Sequence, residues 1–131
     1  MFSDIAGVRA ALKERLAASV PTPWQIDEFI REPPFEYRSP QVLFEFSRFE
    51  RTVNGQTLGS GFVAAVVDIL VGSPLTIENE GEGDADDLAL TLVRVIDNQS
   101  DMYWDSAEKQ KLPSGQWAWR IHTIVITESK E

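Results

Sequence analysis

The feature that most constrains the fold is an apolar run at residues 62–71, interrupted only by Asp68. Successive side chains of a β-strand point to opposite faces of a sheet, and both alternating sets in this run are apolar. A strand of this kind is buried on both faces. The run is also too short and too interrupted to cross a membrane as a helix. The sequence therefore predicts a central strand over residues 60–71 in a soluble chain without a membrane segment.

Alternating apolar side chains and flanking turn residues predict three further strands, over residues 41–53, 102–104 and 116–127. In the first of them, Val42, Phe44 and Phe46 share one face. Asn54-Gly55 then favours a two-residue turn, because both residues tolerate positive φ. The last two strands are separated by a polar connection at residues 109–115. The strands thus form a mainly antiparallel set.

Apolar residues at helical spacing predict two helices, over residues 4–18 and 84–97. Prolines end the first helix and predict an extended segment at 24–30, followed by a surface loop at 31–40. An acidic, glycine-containing stretch at 78–87 precedes the second helix. Because this stretch has little apolar surface to bury, we expect it to be a mobile surface loop.

A chain of 131 residues corresponds to a single domain, here residues 1–131. The predicted fold class is α+β with element order αβββαββ, in which two helices pack on one face of a mixed, mainly antiparallel sheet of about four long strands. Such a sheet is roughly 19 Å wide, and two helices about 10 Å across cover only one of its faces. We therefore expect apolar surface on the other face and a homo-oligomer that covers it.

The predicted contacts between subunits use this uncovered face together with the segments at 31–40 and 52–61. The candidate interface residues are apolar or aromatic side chains of these regions: Phe35, Tyr37, Leu58, Phe62, Ala64 and Val66.

The composition argues against several kinds of chemistry. A formal charge of −9 is opposite in sign to that of a protein that wraps duplex DNA. There is no cysteine, and the only histidine, His122, lies in the last predicted strand without a second metal ligand or a nucleophile beside it. The stretch from Glu78 has the spacing of half a calcium-binding loop, but its twelfth position is Ala89. We therefore predict no catalytic, cofactor-binding or metal-binding residue, and no enzyme.

The chain as a whole resembles the tail terminator (tail-completion) proteins of long-tailed bacteriophages, particularly of phages that infect actinobacteria. An ordered series of segments carries the resemblance: residues 8–16, Val20-Pro21 with Trp24, residues 40–51, residues 84–90, residues 102–109, and a closing aromatic strand from Trp117. The similarity spans nearly the whole chain. The chain departs from the family pattern at Pro33-Pro34 and in its acidic loop.

The resemblance implies a structural virion protein at the head-proximal end of the tail, made in the host cytoplasm. Such proteins form a hexameric ring that ends polymerisation of the tail tube and joins the tail to the head and neck. The implied partners are further copies of the chain, the major tail tube protein and the neck or head-completion (connector) proteins. Genomic DNA would pass through the ring without specific binding, and no cofactor is implied.

Two other functions stay open from the sequence. One is another phage neck or head–tail connector subunit, which differs from a terminator in its docking partner. The other is a small-ligand-binding α+β domain or an enzyme, which would need a closed apolar pocket with converging polar groups.

Overall fold

The structure is a computed structural model of the chain, and it describes residues 5–20, 24–27, 40–53, 56–59, 61–76, 78–112 and 114–128. Within these ranges the chain forms two helices and seven strands. In chain order they are Ile5–Ser19 (α1), Gln25–Asp27 (β1), Gln41–Glu50 (β2), Thr52–Val53 (β3), Gln56–Thr57 (β4), Phe62–Gly72 (β5), Glu78–Asp97 (α2), Met102–Lys111 (β6) and Trp117–Glu128 (β7).

The apolar run forms β5, the central strand of a five-stranded sheet with the order β1-β2-β5-β7-β6. The short β1 is parallel to β2, and the other neighbouring pairs in this sheet are antiparallel. Each of the four long strands has ten to twelve residues. β3 and β4 form a separate two-stranded sheet. The predicted α+β class and mainly antiparallel sheet are therefore confirmed, and the order αβββαββ agrees in outline.

Both helices pack on the same face of the sheet, as predicted. One core cluster joins residues from the two helices and the central strands, namely Val8, Leu12, Leu16, Leu92, Ile96, Phe44, Ile69 and Ile121, all of them buried. An ion pair of 2.7 Å between Arg15 Nη1 and Asp101 Oδ1 also ties α1 to the turn before β6. The apolar stripe of α1 thus forms the predicted helix, whose bounds differ from the expected ones by one residue.

The acidic segment at 78–87 is helical, so the prediction of a mobile loop is wrong. The whole segment belongs to α2, and side chains of β6 and β7 hold it against the sheet. Lys109 Nζ lies 2.7 Å from Glu82 Oε2 and 2.9 Å from Asp86 Oδ1. The indole Nε1 of Trp119 donates a hydrogen bond of 2.9 Å to the same Asp86 atom. Acidic residues near the N-terminus of a helix are further stabilised by its dipole.

The connection between β5 and α2 packs closely against the first turns of the helix. A Cβ atom placed on Gly81 would lie only 2.8 Å from the carbonyl oxygen of Leu75. Ser73 is fully buried, and its hydroxyl donates a hydrogen bond of 2.6 Å to Asp84 Oδ2 and accepts one of 3.1 Å from the Leu75 amide. The glycine and the buried serine therefore let the acidic segment pack instead of extending into solvent.

β6 is a long strand, whereas the sequence predicted a short strand followed by a polar connection. Lys109 and Lys111 belong to this strand, and their ammonium groups lie over aromatic rings of β7. Lys109 Nζ is 5.4 Å from the centre of the Trp119 ring, and Lys111 Nζ is 5.5 Å from that of Trp117. Lysine stems cover apolar surface while their charged ends stay in water, so a strand can be rich in lysine and still pack.

Several predicted segments lie wholly or partly outside the described residues. The loop at 31–40 is described only at Pro40, whose carbonyl oxygen accepts a hydrogen bond of 2.8 Å from the Gln25 amide. The extended segment at 24–30 is described as far as the end of β1. The Asn54-Gly55 turn is not described, although the strands on either side of it pair with each other. Among the described residues, no helix is long and apolar enough to span a membrane.

Candidate functional site

A strip of charged and polar side chains crosses the sheet face that neither helix covers. We define the charged strip as Glu45 on β2, Asp68 on β5, Arg120 and His122 on β7, and Asp105 on β6. In the strand register, Glu45 lies opposite Asp68, and Asp68 lies opposite His122. Because laterally paired residues point to the same face of a sheet, the register itself brings these side chains together.

Asp68 is the centre of the charged strip. Arg120 Nη1 lies 2.8 Å from Asp68 Oδ2 and 3.2 Å from Glu45 Oε2, so one guanidinium bridges two carboxylates. His122 Nδ1 lies 2.9 Å from Asp68 Oδ1. Since a carboxylate only accepts hydrogen bonds, this contact places the hydrogen of His122 on Nδ1. The other ring nitrogen, Nε2, is 3.9 Å from Asp105 Oδ2.

The electrostatics of the charged strip favour the ionised forms of its central pair. Partial burial by itself raises the pKa of Asp68, but hydrogen bonds and charge from Arg120 and His122 outweigh it and hold that pKa below its ordinary value. Burial likewise lowers the pKa of Arg120, and hydrogen bonds to Asp68 and Glu45 more than reverse the effect. Asp68 and Arg120 therefore form an ion pair at the centre of the charged strip.

An open depression of about 150 Å³ lies in the charged strip, lined by Asp68, Ser106, Glu108, Arg120 and His122. An Asp–His pair beside a serine supplies the residue types of an acyl-transfer site. However, the Ser106 hydroxyl donates its described hydrogen bond, of 3.2 Å, to Asp105 Oδ1. The contacts in the depression are thus those of an ion-pair network, and they place no activated nucleophile beside the histidine.

The predicted interface residues have different surroundings in the structure. Two of them, Phe35 and Tyr37, lie outside the described residues. Ala64 and Val66 have 0% exposed surface, so they offer nothing for a partner to contact in this conformation. Leu58 and Phe62 are half-buried.

The uncovered face is polar across its middle, so the expectation of an apolar surface there is wrong. On this face the apolar residues Leu43, Leu70 and Ala118 form a small buried cluster of their own. The charged strip occupies the positions beside that cluster. An alternating pattern within one strand could not reveal this, because the polar residues come from four different strands.

Sequence reasoning missed the charged strip, although a signal for it was present. Asp68 is the one charged residue in an otherwise apolar run, and Arg120 and His122 alternate with apolar residues in β7. Charges at alternate positions of two apolar strands indicate one wet face that the two strands share.

Comparisons with known proteins add no family assignment: no family model matches the chain, and no curated protein matches it. Within the described part of the chain, no three acidic or histidine side chains are grouped so that they could hold a metal ion.

Proposed function

We propose that the chain is a structural virion protein that forms a ring on the head-proximal end of a bacteriophage tail tube. In this role it ends the polymerisation of the tube and joins the tail to the neck of the head. The partners would be further copies of the chain, in a hexamer, the major tail tube protein and the neck or connector proteins.

The observation that carries the proposal is the ordered resemblance to tail terminators, together with the place of its segments in the fold. The segment at 8–16 lies in α1, residues 41–50 form β2, residues 84–90 lie in α2, and residues 102–109 lie in β6. The closing aromatic strand from Trp117 is β7. Both helices and three of the four long strands, β2, β6 and β7, therefore carry part of the pattern. A resemblance distributed over the packed elements of one domain supports a common fold better than one confined to a single motif.

The charge of the uncovered sheet face suits a surface that DNA must pass without being held. On this face the carboxylates, among them Glu45, Glu50, Asp68, Asp105 and Glu108, outnumber the guanidinium groups of Arg48 and Arg120. Charged residues are depleted from the centres of protein interfaces, so we place this face towards water in the channel of the ring. A negative lining leaves the phosphates of the DNA backbone unneutralised, and DNA can slide past it.

A neck or head–tail connector subunit is the nearest alternative, and it differs in its docking partner. The test is growth of tail tubes from the purified tube protein of the same phage, with and without this chain. We expect substoichiometric amounts of the chain to stop elongation, and tube lengths to shorten as its concentration rises. Unchanged tube lengths combined with binding to head connectors would favour the neck subunit instead.

A further inference from the structure

Phe49 lies at an open edge of the five-stranded sheet. β1 pairs with β2 only as far as Leu43, and among the described residues no strand pairs with that side of β2 beyond this point. Phe49 lies opposite Ala65, which alternates along β5 with the core residues Val67 and Ile69, so its ring projects from the helix-covered face. The Phe49 side chain is nevertheless 61% exposed, the largest fraction among the large hydrophobic residues described.

Two aspartates identify the side of α2 that runs along β6, the strand at the opposite edge of the sheet. Asp86 Oδ1 lies 2.9 Å from Lys109 Nζ, and Asp97 Oδ1 accepts a hydrogen bond of 2.9 Å from Trp104 Nε1. Residues three or four apart lie on one side of a helix. Two apolar residues fall between the aspartates at such spacings and therefore lie along β6 as well: Leu90 and Val93.

We define the α2–β6 groove as Leu90 and Val93 on α2 together with Trp104 and Ala107 on β6. Ala107 lies opposite the core residue Ile121, and a β-bulge after Trp104 puts both β6 residues on the helix-covered face. Leu90 is 50% exposed and Trp104 37%, while Val93 and Ala107 are half-buried. The side chains between the two aspartates thus form an apolar groove that is open to solvent.

Phe49 does not reach the groove of its own chain. In the strand register it is level with Ala65 on β5, Val125 on β7 and Met102 on β6. Three strand spacings, roughly 14 Å, therefore separate it from β6. Ala65 and Val125 lie between the two edges on the same face, and both have 0% exposed surface because the core covers them. A ring that occupies the groove must come from a second molecule.

A second copy of the chain is the occupant that the geometry favours. A rotation about an axis along the strands keeps residues level, so it carries Phe49 of one copy to the Met102–Trp104 end of its neighbour's groove. The proposed ring turns the other sheet face towards its channel, which leaves these two edges for contacts between neighbours. A β-bulge in each edge hinders backbone pairing, so side chains must provide the contact.

We propose that neighbouring copies of the chain associate head to tail, with the Phe49 ring of one copy packed against Trp104 in the α2–β6 groove of the next. The inference rests on the proposed function, for which it supplies the contact between subunits. The two halves of the contact lie at opposite edges, so each copy binds two neighbours. Contacts of this type close into a ring or extend as a filament.

The test replaces Phe49 by p-benzoylphenylalanine, an aromatic residue that on irradiation bonds to C–H groups in contact with it. This chain is mixed with the natural chain carrying heavy isotopes, in concentrated solution and on tail tubes. Mass spectrometry then identifies the cross-linked peptides. We expect position 49 to be joined to heavy peptides that contain Leu90, Val93 or Trp104, because the heavy label marks a link between two copies.

Two leucine substitutions in the heavy chain serve as a matched pair. Leu90→Ser changes the groove, whereas Leu75→Ser changes a leucine of similar exposure, 40%, in the connection before α2. We expect the first to lower the cross-link yield several-fold and the second to leave it unchanged. Trp104→Ala should lower the yield about tenfold, as the loss of a central aromatic contact does at interfaces. Circular dichroism of each variant confirms that it is folded.

Four results would overturn the inference: links from position 49 to other surfaces of the chain, links to the tube protein, links confined to one chain, or no link at all. Equal yields for Leu90→Ser and Leu75→Ser would overturn it as well.

The same experiment separates this contact from the proposed function. Tubes capped by this chain without the groove cross-link would support the ring and contradict the contact. Groove cross-links between copies that bind no tube end would support the contact and contradict the proposed function.

Discussion

Replacing the two glycines of α2 by alanine should change stability in opposite directions. Gly83 is exposed within the helix, and a Cβ atom there would have no neighbour within 4 Å. Gly83→Ala should therefore stabilise the fold by about 0.5–1 kcal/mol, the ordinary gain of alanine over glycine inside a helix. At Gly81 the same change brings the new methyl group within 2.8 Å of a backbone oxygen.

Because that oxygen belongs to the main chain of Leu75, neither side can move away cheaply. Overpacking of this kind costs about 1–3 kcal/mol, and after the helical gain we expect Gly81→Ala to lose about 1 kcal/mol. Thermal unfolding followed by circular dichroism should place the two variants on opposite sides of the natural chain, each shifted by about 3–5 °C. A Gly83→Ala variant that is less stable, or a Gly81→Ala variant that gains as much as Gly83→Ala, would mean that the acidic segment is not a packed helix.

Three further predictions concern charge. Asp68 has a lowered pKa in the folded chain, so its ion pairs stabilise the fold above about pH 4, the ordinary value for the unfolded chain, and are lost as the pH falls through the lower folded value. Asp68→Asn should therefore be less stable than the natural chain in urea at pH 7, by a margin that narrows below pH 4; a constant margin would contradict this. Lys109→Gln removes the cation that faces Glu82 and Asp86, so it should lower the melting temperature. The decrease should be smaller in 1 M salt than at low salt, because salt screens ion pairs. Because the proposed channel lining is negative, electrophoretic mobility shift assays at physiological salt should detect no binding of duplex DNA at micromolar protein. A complex whose affinity falls steeply with salt would contradict the proposal that DNA passes through the ring without being held.

The sequence predicted correctly those elements whose signal lies within one short stretch of the chain. β5 could be predicted because its two apolar faces lie within one run of the chain, and α1 because Val8, Leu12 and Leu16 repeat every four residues. Local periodicity decides both elements, and the packing in the structure agrees with it.

The start of α2 could not be predicted in this way, because its stability depends on distant partners. Lys109 is 27 residues from Glu82, and Trp119 is 33 residues from Asp86. From the local sequence alone, a run of carboxylates and glycines favours a loop. Only the pairing of β6 with β7 brings the lysine and the tryptophan to the helix.

The charged strip, like the start of α2, is formed by residues that are far apart in the sequence. Asp68 and His122 are 54 residues apart and meet only because β5 and β7 pair in one particular register. A register shifted by one residue would turn His122 to the helix-covered face. The residue types could be noted in the sequence, but their meeting could not.

The most direct test of the proposed function is electron microscopy of tail tubes assembled in the presence of this chain carrying a gold label. We predict one ring of six labelled subunits at a single end of each tube, and no label elsewhere. Label repeated along the tube shaft, or tubes with no label at either end, would contradict the proposal that the chain is a tail terminator.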